Sequence, residues 1–166
     1  MLRYALTLTA MLGALPAIAQ DALRPQEQLR LDRFETVAGN ALLQAFQSAS
    51  AEDRGALGRA LSGTPQVAFD EGLAGDWSCR TIKLGGMPAL VVYSPFKCRL
   101  TFQGNGYLFE KISGSQRTTG FITLRDGQAI YAGVGYVAGE TPPAYDALLP
   151  EFAGDGTVQP DVAVFE

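Results

Sequence analysis

The stretch Phe96-Lys97-Cys98-Arg99-Leu100-Thr101-Phe102-Gln103-Gly104-Asn105-Gly106-Tyr107 decides the fold. Phe96, Cys98, Leu100 and Phe102 take one side of an extended chain, and Lys97, Arg99, Thr101 and Gln103 the other. That alternation is the mark of a half-buried strand. Gly104-Asn105-Gly106 then signals a hairpin, because positive φ costs glycine little and asparagine tolerates it. Downstream, Tyr107 to Ser113, Arg117 to Leu124 and Gln128 to Val137 read as further strands, separated by turns at Gly114-Ser115-Gln116 and Asp126-Gly127. Gly139 to Pro143 is a loop, Tyr145 to Phe152 has no clear period, and Val158 to Phe165 reads as a closing strand. Short strands joined by glycine-rich turns predict an antiparallel meander, forming a curled sheet or small β-barrel.

Upstream the period changes. Residues 26 to 62 read as helical, with Pro25 suited to the first turn. Leu31, Phe34, Val37, Ala38, Leu42, Ala45 and Phe46 recur at three- and four-residue steps and predict one apolar face. This first helix is expected to end near Ser48. Ser50-Ala51-Glu52-Asp53 starts a second, with a hydroxyl at the cap and an acid three residues on. Leu57 and Leu61 are expected inward, and Gly63 and Pro65 stop the helix. The fold class is therefore α+β, a helical hairpin followed by the meander.

The N-terminus carries an address. Arg3 supplies a charge, Tyr4 to Leu15 is almost wholly apolar, and Pro16 and Ala17-Ile18-Ala19 follow. These are the parts of a secretory signal peptide, too short for a membrane span of about 20 residues. Residues 1–19 are thus expected to be a signal peptide cleaved near Ala19. Residues 20–166 would form a single domain, with a helical lead-in over 20–63 and the sheet or barrel over 73–166. The location implied is periplasmic or secreted, with no transmembrane segment in the mature chain.

Cysteine occurs twice, at Cys79 and Cys98. An even count in an exported chain favours a disulfide. Cys79 follows Trp77 with one residue between, so both share a side. On a simple hairpin centred near Met87, Cys79 faces Cys98 and Trp77 faces Leu100. The alternative is that Ala89 to Tyr93 forms a strand of its own. Histidine is absent, which removes imidazole acid–base chemistry and Ser-His-Asp activation. Ser94-Pro95-Phe96-Lys97 matches the S-x-x-K spacing of acyl enzymes, but that motif needs a helix, and proline and a strand follow here. Gly154-Asp155-Gly156 reads as a turn, and Gly133 and Gly135 as a strand kink or close backbone approach. No catalytic residue, metal site or cofactor is expected.

Charge is strongly partitioned. Between Trp77 and Arg125 stand Arg80, Lys83, Lys97, Arg99, Lys111, Arg117 and Arg125 against Glu110 alone, a net of +6. Residues 126–166 hold seven acids and no base, a net of −7. Two readings follow. Either the acidic end lies beside the basic strands and neutralises them, the commoner arrangement, or a basic face attracts an anionic ligand. Glu110 and Arg117 fall close across the turn at Gly114, as a surface cross-strand pair or as a buried one. The candidate ligand contacts are Arg80, Lys83, Arg99, Glu110, Lys111 and Arg117. The whole chain carries −4, so nucleic acid is not an expected partner.

The runs Gly75-Asp76-Trp77-Ser78-Cys79-Arg80-Thr81-Ile82-Lys83-Leu84, Phe96-Lys97-Cys98-Arg99 and Glu110-Lys111-Ile112-Ser113-Gly114-Ser115-Gln116-Arg117-Thr118-Thr119-Gly120 resemble a proteobacterial exported family, domain of unknown function 4893. The resemblance implies an exported protein and brings no catalytic residues. Gly75-Asp76-Trp77 is also similar to the opening of lipocalin-like barrels and periplasmic protease-inhibitor barrels, where the tryptophan plugs one end. The chain departs from these in its helical lead-in and in lacking an arginine on the last strand to cover that tryptophan.

The function expected is a non-enzymatic envelope protein that binds a small ligand or protein partner. The alternatives are a protease-inhibitor-like barrel and a hydrolase working through carboxylates or Ser/Lys. Intact-mass analysis of the natural product is expected to start at Gln20; a product beginning at Met1 would overturn the export reading.

Overall fold

The computed structural model describes residues 23–64 and 71–166. The expected signal peptide and the expected stop at Pro65 lie outside the described residues. Helices α1 (Pro25–Asp32), α2 (Phe34–Ser48) and α3 (Ala51–Ala60) come first. Strands β1 (Gly75–Cys79), β2 (Ile82–Leu84), β3 (Leu90–Val92), β4 (Phe96–Gln103), β5 (Gly106–Lys111), β6 (Gln116–Arg125), β7 (Gln128–Val137) and β8 (Val158–Val164) follow. Short 3-10 helices occupy Glu71–Leu73 and Tyr145–Ala147. The α+β class and the meander stand as expected.

The strands form an antiparallel six-stranded sheet in the order β1-β4-β5-β6-β7-β8 and a separate ribbon of β2 and β3. In the main sheet Gly104 (φ 64) supplies the positive φ of the β4–β5 turn. One face carries the core: Leu100, Tyr107, Ile122, Ala129 and Tyr131 are buried, with Leu73, Phe102, Phe109 and Phe165 against them. Burial of each large side chain here contributes roughly 1.5–3 kcal/mol. Phe102 meets Tyr107 edge-on at 5.3 Å, and Phe109 meets Tyr131 at 5.8 Å.

Among the described residues β1 and β8 do not pair, so the sheet stays open. The barrel alternative is corrected, and a barrel mouth and tryptophan plug go with it. Trp77 is half exposed, its Nε1 donating to the Leu73 carbonyl at 2.9 Å. The physical reason is that α1 occupies the β8 edge. Arg30 Nη1 donates to the carbonyl of Pro160 at 3.1 Å, which therefore faces away from the sheet. The proline nitrogen points the same way, so its missing N–H breaks no ladder bond.

Two helix expectations are also corrected. The single helix to Ser48 is broken at Arg33 (φ −99). α1 packs on β8 whereas α2 packs on β2, so the axis has to change. The buried face of α2 is Ala41 and Ala45, with Leu42 partly covered, while Phe34, Phe46 and Val37 (61 % exposed) face outward. The ribbon has three residues per strand, about 10 Å long, and cannot cover a 15-residue helix of about 22 Å. Leu57 and Leu90 complete that second cluster, and Leu61 is exposed. The Ser50 cap forms as expected, accepting from Asp53 N at 3.0 Å.

The register around the cysteines differs from the simple hairpin. Cys79 faces Phe96 and Trp77 faces Cys98, because β2 and β3 intervene as a ribbon. The cysteines share a face diagonally and are bonded, with Cα atoms 5.9 Å apart, inside the range for bridged residues.

α1 is pinned by a buried ion pair. Arg24 and Glu27 are 8 % and 2 % exposed. Arg24 Nε and Nη2 donate to the two oxygens of Glu27 at 2.6 and 2.9 Å, and Nη1 to the Leu149 carbonyl at 2.6 Å. The Tyr145 hydroxyl donates to Glu27 at 3.1 Å and accepts from Arg24 N at 3.1 Å. Burial alone would raise the Glu27 carboxyl; the hydrogen bonds and charge of Arg24 outweigh it and hold the group below the usual range. Its stabilising contribution is complete above the ordinary glutamate range and is lost as pH falls through the depressed value. Glu27→Gln is expected to cost about 3–5 kcal/mol, the range for breaking a buried pair, and to flatten the acid limb of the stability–pH curve. Denaturant titrations from acid to neutral pH check both.

Candidate functional site

The β5–β6 turn and the ribbon bring three cations to one corner. Lys111 ends β5 and sits on the rung Cys98–Lys111–Thr118–Gly135–Gln159. Its Nζ donates to the Gln116 carbonyl and stands 3.7 Å from the centre of the Phe96 ring, a cation–π contact. Lys83 comes across from β2; its Nζ donates to Gln116 Oε1 at 3.1 Å and lies 5.6 Å from the Tyr93 ring centre. Arg117 follows Gln116 and, by the register, starts from the face of Thr119 and Glu110; its Nε donates back to the Gly114 carbonyl at 3.3 Å, and its charge still reaches Lys111. Burial first, then the charges of Lys83 and Arg117, push the Lys111 ammonium below the usual lysine range.

The remaining candidates lie apart. Arg80 is exposed in the link between β1 and β2. Arg99 and Glu110 face each other on the opposite side of the sheet from Lys111. Arg99 pairs with Asp76 at 2.7 Å. Glu110 lies opposite Thr119, not Arg117, and among the described residues no ion pair joins it to Arg117. Nor, among the described residues, does an ion pair join the acidic end to Arg80, Lys83, Lys97, Arg99, Lys111 or Arg117. Its Asp161 pairs instead with Arg30 of α1, at 3.8 Å.

A cleft of about 90 Å³ adjoins the corner, lined by Gln116, Arg117, Gly135, Val137, Thr157 and Gln159 among others. The turn before β8 shapes its wall. Asp155 accepts from Thr157 N, Thr157 Oγ1 and Val158 N at 2.8, 2.9 and 2.7 Å, confirming Gly154-Asp155-Gly156 as a turn.

Sequence reasoning missed a polar chain on the same face. The Tyr131 hydroxyl occupies the space that a Cβ at Gly133 would fill, the close approach that the glycine signalled. There it shares a hydrogen bond of 2.5 Å with Thr118 Oγ1. Thr118 also reaches the Asp161 carboxyl, which burial pushes up against the lowering pull of Arg30. Burial likewise pushes the Tyr131 hydroxyl up. Asp161 opens onto a second cleft of about 310 Å³ between α1 and β8. No spacing rule joins Arg30, Thr118, Tyr131 and Asp161, because four separate elements supply them.

These features define an α+β protein with an open antiparallel sheet and a surface corner that gathers cations. The chain belongs to the family described as Domain of unknown function (DUF4893), whose model matches residues 20–166. No curated protein and no solved structure matches the chain. No helix among the described residues is long and apolar enough to cross a membrane.

Lys111 is expected to lose its proton below the ordinary lysine range in a lysine-resolved NMR titration. Lys83→Met should move that titration upward without fully restoring it, since burial is the larger cause. A Lys111 that titrates unchanged in the variant would break the proposed contact between the two charges.

Proposed function

We propose that the mature chain is a non-enzymatic cell-envelope protein that binds a small anionic ligand at Lys83, Lys111 and Arg117. One observation carries this reading. Two ammonium groups converge on a single glutamine, Lys83 on its side-chain oxygen and Lys111 on its backbone carbonyl, with the charge of Arg117 in reach of Lys111, and among the described residues no carboxylate pairs with any of the three. Like charges held together raise each other's cost, and an anion relieves it. The corner is exposed, so the ligand needs no opening motion. The Cys79–Cys98 bond supports an oxidising compartment, where such bonds persist, and the N-terminal pattern supports export.

The chemistry favours an oxyanion. Ammonium and guanidinium groups make charge-assisted hydrogen bonds to phosphate, sulfate or carboxylate oxygens. The adjoining 90 Å³ is room for about three waters, which suits one such group.

Calorimetry with inorganic phosphate at low ionic strength tests the reading. Saturable binding is expected, weakening as salt rises. Lys111→Met should reduce affinity about tenfold or more, since a hydrogen bond to a charged group contributes about 1.5–3 kcal/mol. Arg99→Met, on the opposite face, should leave it unchanged. Equal binding by the wild type and Lys111→Met, or no saturable binding, would overturn the proposal.

A further inference from the structure

Resting on that anion-binding reading, we propose that the ligand is an acidic saccharide, a polyhydroxylated body carrying one anionic group. The anionic group sits in the basic corner, and the hydroxyl-rich body lies along β8 in the cleft beneath α1.

Gln159 joins the two spaces. It lines both the small cleft beside Gln116 and Arg117 and the larger one with Gln26, Arg30 and Asp161. Its side chain lies on Gly135, on the same rung as Lys111. That rung crosses three strand spacings from Lys111 to Gln159, about 14 Å. One elongated molecule can therefore touch both ends.

Size separates the roles. The corner cleft holds an oxyanion and little else. The neighbouring space of about 310 Å³ lies at the lower end of small-molecule sites and takes about ten waters' volume, which suits one or two sugar rings.

Chemistry selects the body. Among the described residues the carboxamides of Gln26 and Gln159 have no hydrogen-bond partner, and each offers two donors and an acceptor. Asp161 faces Thr118, which the Tyr131 hydroxyl and the Val134 carbonyl hold. Arg30 stands beside it at 3.8 Å, loosely enough to share with a ligand. Planar amide, carboxylate and guanidinium groups match pairs of neighbouring hydroxyls, which need both donors and acceptors. No aromatic ring lines this cleft, so it offers no stacking surface for a nucleobase. Its few apolar atoms, on Ala153 and Pro160, suit no lipid tail.

The test is calorimetry on the mature protein with four probes: inorganic phosphate, glucose, glucose 6-phosphate and glucuronate. At least one acidic sugar is expected to bind about tenfold tighter than inorganic phosphate, and glucose more weakly than that acidic sugar. The sugar phosphate and the uronate tell which anionic group the corner prefers. Gln26→Ala and Asp161→Asn should each remove most of the sugar's gain and leave phosphate binding unchanged, since both line only the larger cleft, whereas Lys111→Met should weaken both. Gln26 is exposed, so its variant keeps the proposal testable if Asp161→Asn unfolds. Phosphate binding with no gain from either acidic sugar would overturn this inference and leave the anion site standing. Failure of every anion to bind would overturn both.

Discussion

The bidentate pair between Arg24 and Glu27 is the contact on which the rest of the arrangement depends. An eight-residue helix has no stability of its own in water, and Glu27 is the one residue α1 buries. Polar pinning does what an apolar stripe does elsewhere. A buried pair of this kind stabilises little relative to well-packed apolar side chains, but removing one partner strands the other charge. Its effect is therefore positional. It ties α1 to the segment around Tyr145 and Leu149, which lays Arg30 along the open edge of β8. That edge is otherwise a template for pairing with another chain. The same placement sets Gln26 and Arg30 as one wall of the larger cleft.

The second constraint is the disulfide. The chain leaves the main sheet after Cys79, builds the β2–β3 ribbon, and returns at Phe96. The Cys79–Cys98 bond closes the base of that excursion. Lys83 stands four residues beyond Cys79, and Cys98 shares a rung with Lys111, so the bond helps hold Lys83 against Lys111. Closing a loop of this length contributes about 3 kcal/mol in the chain-entropy model. Even at about 4 Å, two unit charges repel by about 1 kcal/mol in the water-like surroundings that the exposed Lys83 keeps. The staple is the larger effect, and the cations stay together.

The meander was legible because β4 carries a clear period of two and the turns that follow it carry a glycine or Asp-Gly. The ranges of β4 to β8 accordingly match the sequence reading to within a few residues. What periodicity could not show was which surface each element meets. The run Leu31 to Phe46 has one helical period throughout, yet two partners divide it at Arg33 and a short ribbon leaves Phe34 and Val37 outside. The cysteine pairing was legible from the even count and the expectation of export, while its register was not, since a three-residue strand such as β2 gives almost no pattern. Of the charged candidates, Lys111 and Arg117 lie near one turn and could be joined by counting. Lys83 reaches Lys111 only through the ribbon, and parity puts Arg99, Glu110 and Arg117 on the other face, from which Arg117 reaches Lys111 by its charge. Arg24, Glu27 and Tyr145 were invisible, because the contact spans 118 residues.

The basic corner also lies at the seam between the two layers. The ribbon is fastened to the helices by Leu90, Leu57 and Ala45, but its contacts with the main sheet near the corner are lighter. They include Lys83 on Gln116 and the Tyr93 ring 6.3 Å from Phe96. Without an anion, the charges of Lys83 and Lys111 push those layers apart. The proposed oxyanion, bound between them, would replace that repulsion with an attraction to each cation. A ligand that binds the folded form alone stabilises it in proportion to the logarithm of its concentration over its dissociation constant. Affinity and the cohesion of the ribbon with the sheet are thus two readings of the same electrostatic term. A corner that gathers cations across a seam gains most, in both respects, from being filled.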